Sequence, residues 1–186
     1  MKEFLSLNES RVSGEKIYDG VVLHVRRDEV TLPNGSPAVR EYLRHGPAVC
    51  IVPLLEDGRV VMEHQFRYPM GEVITEIPAG KLNGPDEDAE LVARRELREE
   101  TGAVAEEMID LGQIYPACAY SSEILRVYLA RGIRFEQQAL DADEFLNVFT
   151  VPLDELVGRV LAGEIPDAKT QIAVLKAWLW LKKEMA

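Results

Sequence analysis

Sulfur is scarce: the 186 residues include two cysteines, Cys50 and Cys118. Two thiols cannot build the disulfide framework of a small secreted domain, and both lie in apolar runs, so reduced, buried thiols are expected. Long apolar runs are missing too. The longest stretch near the end, Ile172 to Leu181, is interrupted by Lys176 and falls short of the ~20 apolar residues of a membrane span. The opening Met1-Lys2-Glu3-Phe4 is charged and mixed, unlike a secretory leader, so a cytoplasmic protein is expected. Basic residues are outnumbered, 21 Lys+Arg against 32 Asp+Glu, and the net charge of −11 argues against a nucleic-acid surface. The chain has no internal repeat and no low-complexity tract. What remains is ordinary globular composition, 47% apolar and 28% charged, and enough length for one domain, with or without a modest extension.

Periodicity divides the chain into strands and a few helices. Residues 16–44 alternate around Pro33-Asn34-Gly35, which predicts a hairpin. A second hairpin is expected from Val49–Leu55 and Val60–Phe66 about the turn Glu56-Asp57-Gly58, followed by a short strand over Glu72–Ile77. A helix is expected from Pro85 or Asp86 to Gly102, then strands over 109–115, 124–130 and Phe145–Val151. Gly132 to Glu144 is polar and acidic, which predicts a mobile loop. Helices over Pro152–Ala162 and Asp167–Glu184 follow, the last with Ile172, Leu175, Trp178 and Leu179 as expected core. Many strands with two or three helices predict a mixed β-sheet covered by helices, an α/β or α+β class.

The most informative stretch is Arg95-Glu-Leu-Arg-Glu-Glu-Thr-Gly102. Glu96, Glu99 and Glu100 stand at i, i+3 and i+4 on one helical surface, where like charges cost roughly 0.2–0.5 kcal/mol per pair. At ~100° per residue, Glu96 and Glu100 fall within about 20° of Ala89, in the sector of Val92 and Ala93 that faces the protein body. Glu99 lies about 80° to one flank. Carboxylates turned inward need partners, because a lone buried charge is very costly. The preceding loop, Ile77-Pro78-Ala79-Gly80-Lys81-Leu82-Asn83-Gly84-Pro85, delivers backbone oxygens and amides beside the helix start. An all-oxygen donor set favours a hard cation, Mg2+ or Mn2+.

Gly80 to Ala103 resembles the signature of the Nudix hydrolases, Gly-x5-Glu-x7-Arg-Glu-U-x-Glu-Glu-x-Gly-U, where U is bulky and apolar. Counting back from Arg95-Glu96 puts the first glutamate at Glu87, and Leu97, Glu99, Glu100 and Gly102 fill their places. The chain departs twice: six residues separate Gly80 from Glu87, and the last apolar position is Ala103. Glu63-His64-Gln65-Phe66-Arg67-Tyr68-Pro69, Glu76-Ile77-Pro78-Ala79-Gly80 and Asp167-Ala168-Lys169-Thr170 are similar to the ADP-ribose pyrophosphatase-like branch.

The resemblance implies an α/β/α sandwich (residues 47–186) with a small N-terminal antiparallel sheet (1–46) that packs or swaps across a homodimer. It implies hydrolysis of the pyrophosphate of ADP-ribose or a related nucleoside diphosphate sugar, with GDP-mannose or a dinucleotide as alternatives. A catalytically inactive nucleotide sensor is the third option, and the costly acidic set argues against it. The implied metal ligands are Glu96, Glu99 and Glu100 with the backbone carbonyl of Ala79, and Arg95 is implied to orient Glu87. The base is expected from the loop ending Asp141-Ala142-Asp143-Glu144, with Glu144 favoured and Glu123 or Glu99 as fallbacks. Arg67 is the expected phosphate contact, Glu76 a ribose or base contact, and Arg44 with His45 a base contact from a neighbouring subunit. Arg67 on a surface against Tyr68, and Arg44 in a strand-end ion pair, are the plainer alternatives, and His24 and His64 are read as structural. Aligned through Ser121-Ser122-Glu123, the chain carries Ala117-Cys118-Ala119 where that branch has Ser-Pro-Gly, so a different sugar or a broader substrate range is expected to be possible.

Overall fold

Alternation through the first forty-odd residues yields three antiparallel strands, one more than the hairpin expected. In a computed structural model describing residues 6–84, 86–140, 142 and 144–184, β1 (Ser10–Asp19), β2 (His24–Thr31) and β3 (Pro37–Leu43) pair in the order β1-β2-β3. The Pro33-Asn34-Gly35 turn joins β2 to β3, with Gly35 at φ 84 and its amide donating to the Leu32 carbonyl at 2.9 Å. The missed strand, β1, is exposed at every residue, so its sequence carries no buried stripe to read. The described part of Met1–Gly46 forms one compact unit with Ala117–Glu123, and the Leu43 amide donates to the Tyr120 carbonyl at 2.8 Å.

The second unit, Pro47–Pro116 with Ile124–Ala186, is built on two sheets. Its strands are β4 (Ala48–Pro53), β5 (Arg59–Arg67), β6 (Glu72–Glu76), β7 (Ala79–Lys81), β8 (Ala103–Ile114), β9 (Leu125–Phe135) and β10 (Leu146–Pro152), and its helices α1 (Ala89–Thr101), α2 (Leu153–Leu161) and α3 (Ala168–Glu184). The sheets run β7-β4-β9-β8 and β10-β5-β6. The expected hairpin of residues 49–66 does not form: β4 pairs in parallel with β9, β5 joins the other sheet, and one bridge, Leu54 to Val60, links their ends. Apolar alternation marks strands but cannot say which neighbour each will choose.

All six residues of β4 are buried, because both faces of its sheet are covered. Ala48, Cys50 and Val52 point to one core with α2 and α3, while Val49 and Ile51 point to a second with Val92, Ala93 and Leu97 of α1. Each fully buried Val, Leu or Ile contributes about 1.5–3 kcal/mol. The result is the expected α/β/α layering.

Three local expectations are corrected. α1 begins at Ala89, capped by Asp88, later than expected, and Pro85 lies outside the described residues. On α3 the buried stripe is Thr170, Ala173, Val174 and Ala177, with Ile172 and Leu179 exposed. Small side chains face the sheet there, and Leu175 and Trp178 pack at the margin. Cys50 is buried as expected, but Cys118 is exposed, since its run carries no strand or helix to turn it inward.

Candidate active site

Asp88 starts α1 by accepting from the amides of Glu90 at 2.8 Å and Leu91 at 3.2 Å. Gly102 ends it at φ 72, a left-handed conformation that glycine adopts without penalty. The helix seats Val92, Ala93 and Leu97 on the sheet, which carries Glu96 and Glu100 inward beside them. Glu100 is 4% exposed, and its Oε2 accepts from the Ala79 amide at 3.0 Å. Glu96 lies against Gly80, where a Cβ would overlap the Glu96 carboxyl group. Gly80→Ala is therefore expected to displace Glu96 and cut kcat/KM at least about tenfold, since ångström-scale misplacement can cost 10²-fold. Wild-type kinetics in that variant would remove the close approach from the argument.

Arg95 lies between two of the glutamates, with Nη2 to Glu96 Oε1 at 2.7 Å and Nη1 to Glu99 Oε2 at 2.8 Å. Its expected partner Glu87 instead accepts from the Asn83 amide at 2.6 Å and from Asn83 Nδ2 at 3.4 Å. The register of the motif put Glu87 near the helix start, but the late start of α1 places it in the turn before the cap. Arg95 thus holds the glutamates directly rather than through Glu87.

A residue that the sequence reading passed over joins this set. Glu63 on β5 is 1% exposed and stands opposite Glu76 in the β5–β6 register. Its Oε2 finds no hydrogen-bond partner. Burial, then the neighbouring Glu63 charge, with Glu96 and Glu144 adding to it, pushes the Glu100 carboxyl up to about 9 against the Ala79 amide. Burial likewise pushes Glu63 up to about 7, opposed by Lys169 and reinforced by Glu76 and Glu144. Burial also raises Glu96, with Arg95 opposing. Glu144 therefore lies close enough for its charge to be felt at all three acids, whereas Asp141 and Asp143 lie outside the described residues.

The described part of the loop expected to be mobile is tied to α1. The Ala139 amide donates to the Glu99 carbonyl at 3.1 Å, the Glu136 amide to the Gly102 carbonyl at 2.7 Å, and Gln138 Nε2 to the Glu100 carbonyl. These bonds satisfy carbonyls that the end of a helix leaves open. β9 itself runs on to Phe135, through the first residues of that expected loop.

Glu76, the residue opposite Glu63, lines a cleft of about 510 Å³ together with Arg67, Met70, Ile74, Asp167 and Lys169. Buried Glu76 takes Arg67 as a bidentate partner, Nε to Oε1 at 2.7 Å and Nη2 to Oε2 at 2.8 Å, and also pairs with Lys169. Burial alone would raise Glu76, but Arg67 and Lys169 outweigh it and hold the carboxyl below its ordinary range. Arg67 is thus engaged by Glu76 rather than lying free against Tyr68. Asp167 accepts from Thr170, and Thr170 Oγ1 accepts from the Ile77 amide at 3.1 Å, fixing the start of α3 to the segment entering the Ala79-Gly80 loop. Arg44 and Glu123 belong to the other unit. The Arg44 amide donates to the His24 carbonyl at 2.9 Å, and Glu123 Oε1 lies 3.8 Å from His45 Nδ1. His24 pairs with Asp19 and His64 stacks on Phe149, in keeping with their structural reading.

The donors suit a hard cation chemically: a crowd of inward oxygens, mutual charge repulsion, an orphan carboxylate oxygen and a loop glycine that leaves room at Glu96. They are not drawn into ligand geometry, however. Among the described residues no three His, Cys, Asp or Glu side chains are grouped to hold a metal ion, and Arg95 and the Ala79 amide engage oxygens of Glu96, Glu99 and Glu100.

Comparison with known proteins accords with this geometry. Residues 44–175 match the NUDIX domain model. The chain is 37% identical over 182 residues to an ADP-ribose pyrophosphatase of Bacillus subtilis, covering 97% of each chain. It is 38% identical over 168 residues to a methanol dehydrogenase activator of Bacillus methanolicus, covering 89% of this chain and 90% of that one. A crystal structure of an ADP compounds hydrolase superposes with a TM-score of 0.85 at 24% identity, over 96% of this chain and 97% of that one, and so shares the fold. The chain belongs to the Nudix family.

Proposed function

We propose that the protein is a divalent-metal-dependent pyrophosphatase that hydrolyses ADP-ribose, or a related nucleoside diphosphate sugar, to a nucleoside monophosphate and a sugar phosphate. The observation that carries this reading is the inward carboxylate set of α1 against the Ala79-Gly80 loop, in a chain closely similar to an ADP-ribose pyrophosphatase. Glu96, Glu100 and Glu99, with Ala79, would hold the cation, Mg2+ by its preference for oxygen ligands, with Mn2+ an alternative. When bound, the cation supplies neutralisation of charge on the pyrophosphate oxygens.

The chain's own residues do the rest. Arg95 keeps Glu96 and Glu99 in place. Glu144 accepts the proton of the water that attacks phosphorus, since its charge already reaches the acids that hold the site. Arg67 binds a phosphate oxygen pair through its planar fork. To do so it leaves Glu76, and Lys169 stays behind to neutralise that buried carboxylate. The cleft walls from Arg67 to Glu76 and from Asp167 to Lys169 receive the nucleoside. The N-terminal sheet serves a homodimer, because it exposes Val12, Ile17, Tyr18, Val21 and Val39 in a three-stranded unit. No described helix is long and apolar enough to cross a membrane.

A broader diphosphate range is favoured by the Ala117-Cys118-Ala119 segment, whose exposed thiol replaces a stiff turn proline. The test is a Mg2+-dependent comparison of ADP-ribose, GDP-mannose, UDP-glucose, NADH and diadenosine polyphosphates. ADP-ribose is expected to lead in kcat/KM by about tenfold or more, the scale a few contacts can discriminate. Turnover that survives chelation unchanged would defeat the assignment.

A further inference from the structure

We propose that Glu63, supplied by β5 and not by the signature helix, is an additional carboxylate ligand of the divalent cation, shared with Glu100. The inference rests on the metal-dependent reading above and deepens it.

Glu63 is nearly sealed from solvent, and its Oε2 has no partner. A carboxylate in that position has three ways to avoid a heavy desolvation cost: take a proton, pair with a basic side chain, or bind a metal. The two basic groups nearest it are committed elsewhere. Arg67 gives both arms of its fork to Glu76, while Lys169 bridges Glu76 and Asp167, the latter at 3.1 Å. The remaining groups that face Glu63 are acids: Glu76 across the strand pair, Glu144, and Glu100 from α1. Among charged neighbours Glu63 acts most strongly on Glu100, so the two carboxyl groups lie within reach of each other's charge.

Strand geometry explains why Glu63 lies there. In β5, Glu63, Gln65 and Arg67 share a face by the two-residue period, and the same face carries Glu76 across the register. Val60 and Met62, on the other face, fill the apolar core. At position 63 the strand carries instead an acid with one oxygen left unpaired, opposite Glu76, the residue that leads into the loop whose Ala79 amide donates to Glu100. A hard divalent cation between Glu63 and Glu100 would satisfy the orphan oxygen and relieve the repulsion together.

Two consequences follow for Glu63→Gln, which preserves volume. The metal-free variant melts higher than the metal-free wild type by about 2–4 °C, the shift that relief of ~1 kcal/mol gives a chain of this size. Its Mg2+ affinity drops by about tenfold or more, since loss of even a partner behind a metal ligand costs about 10–100-fold.

The experiment measures Mg2+ binding by calorimetry and Mn2+ binding by the loss of the free-ion paramagnetic signal, for wild type, Glu63→Gln and Glu100→Gln. Melting is followed at pH 8 in EDTA and in Mg2+. Support for Glu63 as a ligand is weaker cation uptake, a smaller metal-induced rise in melting temperature, and a metal-free form at least as stable as wild type. Uptake within twofold of wild type in Glu63→Gln, while Glu100→Gln loses it, overturns the role of Glu63 and leaves the metal-dependent reading standing. A Glu63→Gln protein that is less stable without metal, or unfolded, also overturns it, because Glu63 would then be a structural acid. Absence of uptake by the wild type defeats both readings.

Discussion

Glu100→Gln is expected to lower kcat/KM for pyrophosphate hydrolysis about 10³-fold, equivalent to some 4 kcal/mol of transition-state stabilisation. Glutamine keeps the side-chain volume and can still accept from the Ala79 amide, so the fold is expected to survive the change. What it cannot supply is the negative charge that the proposed cation needs. The same substitution has a stability signature. In the absence of metal the Glu100 carboxyl is pushed up from 4.5 to about 9, burial first and the Glu63 charge second. The folded chain then holds a proton that the unfolded chain releases. This contribution to stability is complete below pH 4.5 and is lost as pH rises through about 9. Metal-free wild type should therefore melt lower at pH 9 than at pH 6, and Glu100→Gln should flatten that slope. A variant retaining more than a tenth of wild-type turnover, or an unaltered pH slope, would sink the placement of Glu100 at the centre of the site.

Glu144→Gln is expected to cost about 10²–10⁴ in kcat, the range for loss of a general base, with KM and cation affinity little changed. That split separates it from Glu100→Gln, which should lose cation binding as well. If turnover stays near wild type, the proton goes elsewhere, and Glu99 or Glu123 inherits the question.

The α1 helix was the most legible part of the chain, because the constraints on it are local. Three glutamates at helical spacing and an apolar stripe in the same sector act within thirteen residues, and the terminal glycine follows directly. Pairing partners were not legible. β4 chooses β9, more than seventy residues on, over the adjacent β5, and only packing of α1 and α3 on its two faces decides that. Glu63 was overlooked for a related reason. In Glu63-His64-Gln65 a polar triplet on a strand reads as a solvent face, and the burial of its first member comes from distant elements. Lys169 has no role legible from its own motif, since its partner Glu76 lies 93 residues away. The exposed Cys118 and the small-residue stripe of α3 show the same limit: hydrophobicity says that a residue can be buried, and neighbours determine whether it is.

Leu146, two residues after Glu144, is paired with Gln65 on β5. Two links of extended chain reach at most about 7 Å. Whatever conformation the preceding residues adopt, the proposed base hangs on a short leash from β10, which is paired with the strand that bears Glu63 and Arg67. Lengthening the segment on its far side, before residue 140, should leave the proton acceptor within reach. Inserting even two glycines between Glu144 and Leu146 should let it drift out of range.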